Sequence, residues 1–326
     1  MRSGSVGHGA PESDTRHTDE GGIGRRIAAP AATAVAGSAA RQRGGAMYGE
    51  AVGYAIVHSE CDGPPPVLVH GWPDTERLWA PTVAALRPHY RCLRFTWPGF
   101  APGAPRTLQS LDESVDLLAR IVERAGGGAP VTLLLHDCGC LFGSQFALHH
   151  PGRVARVISV DVGDAGSREH WRELGVTAKA TIVAYQTALA AAWKLGGTAG
   201  DAIARRIARA ARAPAPADRV HAGQGWPYYV AWTGARGGYR RAQRFAPAIP
   251  MLYVYGARKP FMFHSTAWAH AIAARPQCRV LGLPGGHWVM HAQQAAFNQA
   301  VLAWLNETGA RTSPGRVAGS DGAGVG

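Results

Sequence analysis

Residues 131–143 read VTLLLHDCGCLFG. Val131 to Leu135 is a β-branched and leucine-rich run, as a strand buried on both faces should be. Leu141 to His149 reads as a helix, ended by Pro151-Gly152. Gly139 and Gly143 are small enough for the chain to turn sharply between the two and lift the intervening side chain out of the sheet. Strand, elbow and helix in this order expose a nucleophile at a helix N-terminus, and the side chain so presented is Asp137. The N–H of Cys138 points toward the same space, where the helix dipole favours negative charge. Taken alone, Asp137 would instead be an N-cap residue of the following helix. Cys138 is a rival nucleophile as a thiol, although the slot after an elbow nucleophile uses the backbone rather than the side chain.

Outward from this stretch, short apolar runs alternate with helical ones. Val67 to Val69 follows Pro64-Pro65-Pro66, and Gly71 and Pro73 punctuate the turn after it. Cys92 to Thr96, Val154 to Val160, Met251 to Tyr255 and Cys278 to Leu283 are further strands. Leu111, Val115, Leu118 and Val122 recur at helical spacing, and Phe297 to Leu305 reads as a closing helix. Strands alternating with helices predict a mostly parallel, doubly wound sheet with helices on both faces. Residues 165–248 break the rhythm, being rich in Ala and Arg without a good strand, and read as a helical cap inserted between the strand at 154–160 and that at 251–255. The core is then 47–164 with 249–306. Residues 1–46, rich in Gly, Ala, Ser and Arg, and residues 307–326 read as disordered ends.

Composition narrows the function classes. The 326 residues carry a net charge of +12, which raises the question of nucleic acid. The excess is local: residues 165–248 hold thirteen basic and four acidic residues, while 47–164 hold nine basic and twelve acidic. Dispersed arginines without interleaved aromatics do not make a strand-gripping stripe, so no nucleic-acid partner is expected. No run approaches the roughly 20 apolar residues of a membrane span. Five scattered cysteines, two of them in Cys138-x-Cys140, fit neither a disulfide framework nor a zinc site; reduced thiols in the cytoplasm are expected. The run from Arg25-Arg26 to Ala40 resembles a twin-arginine or transit sequence, but its apolar part is mostly alanine interrupted by Pro30, and Met47 is an equally good start.

Three motifs in order, His70-Gly71-Trp72-Pro73, His136-Asp137-Cys138-Gly139 and Gly285-Gly286-His287-Trp288, resemble the epoxide hydrolase and haloalkane dehalogenase branch of the α/β-hydrolase fold over roughly residues 50–306. Leu135 stands where the first elbow glycine is usual. The resemblance implies that Asp137 attacks carbon and forms an ester, with no cofactor and no metal. It makes His287 the base, and the backbone N–H groups of Trp72 and Cys138 the oxyanion donors. His70 and His136 would support the site.

An imidazole base needs a carboxylate to fix its tautomer. Many relatives supply it after the strand here ending at Tyr255. That loop reads Gly256-Ala257-Arg258-Lys259-Pro260, and no Asp or Glu occurs between Asp218 and Glu307. Asp161, after the preceding strand, is the first choice, with Asp164 the alternative. For ring opening, Tyr185 and Tyr239 resemble the two cap phenols that hold an epoxide oxygen, with Tyr228 and Tyr229 as competitors; a phenol donates while neutral. Dehalogenases use an asparagine at position 72 and a tryptophan at 138 to hold halide, which disfavours halide release here. The expected reaction is hydrolysis of a small apolar epoxide to a diol. Haloalkane dehalogenation is one alternative, and a catalytically silent α/β-hydrolase-fold binding protein, which the lysine at 259 keeps open, is another.

Overall fold

The computed structural model describes residues 47–48, 54–56, 65–245 and 248–310. The N-terminal stretch 1–46, with its targeting resemblance, and residues 311–326 lie outside them. Among the described residues eight strands form one sheet: β1 (Met47–Tyr48), β2 (Tyr54–Ile56), β3 (Pro66–Val69), β4 (Leu93–Phe95), β5 (Val131–His136), β6 (Val154–Val160), β7 (Met251–Gly256) and β8 (Arg279–Leu283). Their order is β1-β2-β4-β3-β5-β6-β7-β8. The six strands β3 to β8 run parallel, and β1 and β2 pair antiparallel at one edge. The sequence did not announce those two: strands of two and three residues are too short to show a period.

Side-chain alternation along the strands builds two cores. Val67, Val69, Leu133 and Leu135 face one way, against α2 (Leu111–Gly126) and α3 (Cys138–His149). Leu68, Leu134, Ile158, Val160, Leu252 and Val254 face the other way, together with Trp79, Val83, Leu86 and the closing-helix residues Phe297, Val301 and Trp304. All six residues of β5 are buried, as a central strand covered on both faces requires. The start of α2 is fixed by a capping box: Ser110 Oγ accepts from the Glu113 N–H (3.1 Å) and the Ser110 N–H donates to Glu113 Oε2 (2.7 Å).

The remaining helices are α1 (Ala80–Leu86), then α4 (Arg168–Glu173), α5 (Val176–Leu195), α6 (Gly197–Ala210) and α7 (Trp226–Thr233) between β6 and β7, and α8 (Thr266–Ala273), α9 (Val289–Ala292) and α10 (Gln294–Ala310). No strand is found among the described residues between β6 and β7. The closing helix runs to Ala310, so residues 307–310 are helical rather than tail. No helix among the described residues is long and apolar enough to cross a membrane.

One topological feature positions the site. From β3 the chain passes to β4 on one side, then returns to β5 on the other. The loops leaving β3 and β5 therefore diverge, and a crevice opens outside the carboxyl ends of those strands, where open α/β sheets bind their ligands.

Candidate active site

Asp137 joins β5 to α3 with φ 53° and ψ −128°, outside the regions ordinary side chains adopt. It occupies the N-cap position, yet its side chain makes no capping bond. Oδ1 instead accepts from the Trp72 N–H (2.9 Å) and Oδ2 lies 3.3 Å from His287 Nε2. Two glycines allow the loops to meet this closely. A Cβ on Gly71 would stand 2.4 Å from Asp137 Oδ1, and one on Gly139 would stand 2.7 Å from the His70 carbonyl. Gly71 is thus required for close approach across the crevice, more than for the turn the sequence suggested.

His287 lies between β8 and α9. Its Nδ1 donates to Asp161 Oδ2 (2.5 Å), and Asp161 Oδ1 accepts from the Gly256 N–H (2.8 Å). Asp161 follows β6 with φ 66°, so both carboxylates that face the imidazole sit at strand ends in left-handed backbone, the kind of strain that recurs at functional sites. Asp164 does not reach the ring. Its oxygens take the Ser265 N–H (2.6 Å), Ser265 Oγ (2.8 Å) and Ser167 Oγ (2.7 Å), so it ties the loop after β6 to the start of α8. The alternative assignment to Asp164 is corrected by that geometry.

Electrostatics follow from the contacts. Burial opposes charge on His287, but its hydrogen bonds to Asp137 and Asp161 outweigh this and lift it to about 9. Burial likewise pushes Asp137 up, and the His287 ring overcomes it, holding the carboxyl at about 2. The Cys138 N–H beside it also favours the Asp137 carboxylate, so both expected oxyanion donors act on one side chain. The Cys138 thiol is driven well above its ordinary value by burial and by Asp137, which disfavours the thiolate.

Other expected residues divide. His70 is fully buried, accepts the Trp97 N–H at Nε2 (3.2 Å) and is held at about 4 by burial; it braces the loop after β3. His136 is also buried, held at about 3, with its ring 4.6 Å from that of His287. The Tyr228 hydroxyl is within electrostatic reach of Asp137, Tyr185, Cys138 and Tyr239, with its ring against Trp72 (6.1 Å) and Tyr185 (6.2 Å). Burial raises all three phenols, so they stay protonated. Tyr229 packs on Trp193 (4.3 Å). Tyr239 Oη, Trp72 Nε1 and His136 Nδ1 are among the buried polar atoms of the described residues that have no hydrogen-bond partner. A cavity of about 660 Å³ adjoins the site without reaching Asp137 or His287; Tyr239, Gln186 and Phe263 line it, and Phe263 packs on the His287 ring (5.2 Å).

Two residues of the site escaped the sequence reading. Lys259 contacts Asp161, and Asp74, directly after the His70–Pro73 motif, is buried with its Oδ2 accepting from the Trp288 indole N–H (2.7 Å). Burial raises Asp74 to about 7. The emptiness of 219–306 in acids, which turned attention to Asp161, was also the available hint that a lysine there faces a carboxylate from elsewhere. Among the described residues no group of three or more His, Cys, Asp or Glu is spaced to hold a metal ion.

A cis-3-alkyl-4-alkyloxetan-2-one decarboxylase from Xanthomonas campestris is 35% identical over 106 residues, 30% of this chain and 35% of that protein's length. A haloalkane dehalogenase variant from Bradyrhizobium elkanii superposes with a TM-score of 0.59 at 16% identity, covering 80% of this chain and 95% of the other. A candidate epoxide hydrolase from Pseudomonas aeruginosa does so with 0.60 at 19%, covering 81% and 95%. The elbow and the parallel sheet are those of an α/β hydrolase; residues 64–292 match the α/β hydrolase fold family, and the chain belongs to it.

Proposed function

We propose that the protein is a hydrolase that opens a small strained oxygen ring, an epoxide, through an ester on Asp137. The observation that carries this is a carboxylate at a strained elbow that caps nothing, with one oxygen on the Trp72 N–H and the other toward an imidazole. Oδ1, held by the Trp72 N–H with the Cys138 N–H acting on the same carboxylate, sits where an oxyanion would form. Oδ2 is the attacking atom. It bonds to a ring carbon, the carbon–oxygen bond of the ring breaks, and the ring oxygen takes a proton from a phenol, Tyr185 with Tyr239 or Tyr228 beside it. The phenolate takes the proton that His287 holds in the free protein; water, giving a proton to the now neutral ring, then adds to Cγ of Asp137 while charge gathers on Oδ1. The alkoxide leaves with the proton from His287, and the restored carboxyl returns a proton to the imidazole. Aligned donors of this kind are each worth about 3 kcal/mol to such a step. The resemblance to a protein named for an oxetan-2-one, itself a strained oxygen ring, supports the substrate class.

The test is trapping. His287→Gln incubated with styrene oxide should accumulate a mass increment of one epoxide on the peptide carrying Asp137, while the wild type forms diol. Absence of both adduct and diol across a panel of epoxides refutes the reading. Haloalkane dehalogenation is the second reading, favoured by the unpartnered Trp72 indole N–H, a donor suited to halide; bromide release from a bromoalkane without diol formation would select it. A protein that does neither is the silent binding fold.

A further inference from the structure

Lys259 stands three residues beyond the end of β7, where the resembling enzymes carry the acid of their triad. Its ammonium lies on Asp161 Oδ1, with the lysine side chain 6% exposed and the carboxylate 0%. Asp161 Oδ2 takes His287 Nδ1. The four groups Asp137, His287, Asp161 and Lys259 therefore form one row in which charge alternates from end to end. A lysine in such a position could serve only to neutralise a buried acid. Its place on the oxygen opposite the imidazole gives it a second effect, because charge drawn from Asp161 is charge no longer available to hold the proton of His287.

We propose that Lys259 is a positioning residue for proton release: it weakens the hold of Asp161 on the His287 proton, so that the imidazole becomes a base once Asp137 is an ester. The proposal rests on the ester reading above. In the free protein two carboxylates face the ring, and it stays protonated well past neutrality. Esterification removes the charge of Asp137. Asp161 alone then holds the proton, and an unpaired buried carboxylate would keep the ring cationic at neutral pH, where it could not accept a proton from water. With Lys259 on its other oxygen, that hold is relaxed.

The remaining groups around the row leave this logic intact. His136, whose ring is 4.6 Å from that of His287, and His264, near Asp161 and Lys259, are kept neutral by burial. Cys140 and Tyr253, near Asp161, are kept protonated by burial. Burial lowers Lys259 itself, and Asp161 opposes that shift. Asp74, which feels both Asp137 and His287, changes charge near neutrality and must be silenced in any test.

Asp137→Asn supplies a neutral mimic of the ester, and Asp74→Asn removes the competing titration. In that double variant, nitrogen-15 NMR of the labelled histidines gives the titration midpoint of His287 without any substrate. Adding Lys259→Met should raise the midpoint by at least about one pH unit, and adding Lys259→Arg should leave it within about 0.3 unit of the lysine form. If the methionine variant does not fold, Lys259→Gln, which can still donate to Asp161 but carries no charge, should give the same rise. An unchanged or lowered midpoint in the neutral variants overturns the proposal. Because no turnover is involved, failure of the epoxide trap leaves this readout intact, and the two ideas fall separately.

Discussion

Asp137 is held in a backbone conformation that costs a residue other than glycine about 1–3 kcal/mol, and it is fixed there from three sides. The Trp72 N–H binds Oδ1, the Cys138 N–H acts on the same carboxylate, and His287 faces Oδ2. The same scale separates the two nearby acids. Asp161 contacts the imidazole and Asp164 contacts two serines. Asp161→Asn should therefore lower turnover by more than about 10³-fold, since the ring loses the carboxylate that orients it and supports its charge. Asp164→Asn should leave turnover within about tenfold and lower the thermal midpoint instead, because Ser265 N–H and both hydroxyls lose their charged acceptor. Steady-state kinetics beside thermal unfolding decide; equal losses of turnover in the two variants contradict the assignment. Asp137 and Asp161 could be singled out in the sequence because each follows a buried strand, and His287 because it stands in a Gly-Gly-His-Trp motif after a strand. Lys259 and Asp74 were not, because what matters about each is a partner about a hundred residues or more away, and no spacing in the chain records it.

At the scale of elements, the site is the product of two loops forced apart by strand order and then drawn into contact by missing side chains. β3 and β5 are neighbours in register from Pro66 opposite Thr132 to Val69 opposite Leu135, so the residues that follow them emerge side by side. Gly71→Ala would drive a methyl group into Asp137 Oδ1, and backbone as well as carboxylate stands in the way, with Cys138 N at 2.7 Å. This variant should lose turnover by more than about 10²-fold, as expected when a catalytic group is displaced by about 1 Å, with unfolding stability reduced by roughly 1–3 kcal/mol. Retained activity would mean that the loops need not approach so closely. The central strands of the parallel sheet were legible because burial on both faces leaves continuous apolar runs. The phenols were less so. Tyr185, Tyr228 and Tyr239 come from α5, α7 and the loop beyond, and only tertiary packing decides that Tyr228, one residue from Tyr229, turns to the carboxylate while its neighbour lies on Trp193.

For the whole molecule, the buried charges make stability depend on pH in a definite direction. His287 is raised in the folded state to about 9, so its contribution is complete below its ordinary value near 6.5 and is lost as pH rises through about 9. Asp74 is raised to about 7, so the fold favours its neutral form, and that advantage is lost as pH climbs from about 4 to 7. Asp137 acts in the opposite sense at the acid end, its contribution fading as pH falls toward about 2. Asp74→Asn, which stays neutral and can still accept from Trp288, should raise the thermal midpoint at pH 8 and leave it nearly unchanged at pH 4. Equal effects at the two pH values would contradict an ionised Asp74 at pH 8. The positive charge of the segment between β6 and β7, thirteen basic residues against four acidic over 165–248, was legible at once.

The central claim is that carbon becomes bonded to Asp137 and that water later attacks the protein rather than the substrate. A single turnover of an epoxide in water enriched in oxygen-18 distinguishes these directly. The account predicts a diol without label and one heavy oxygen on the peptide containing Asp137; a labelled diol with an unlabelled Asp137 would contradict it.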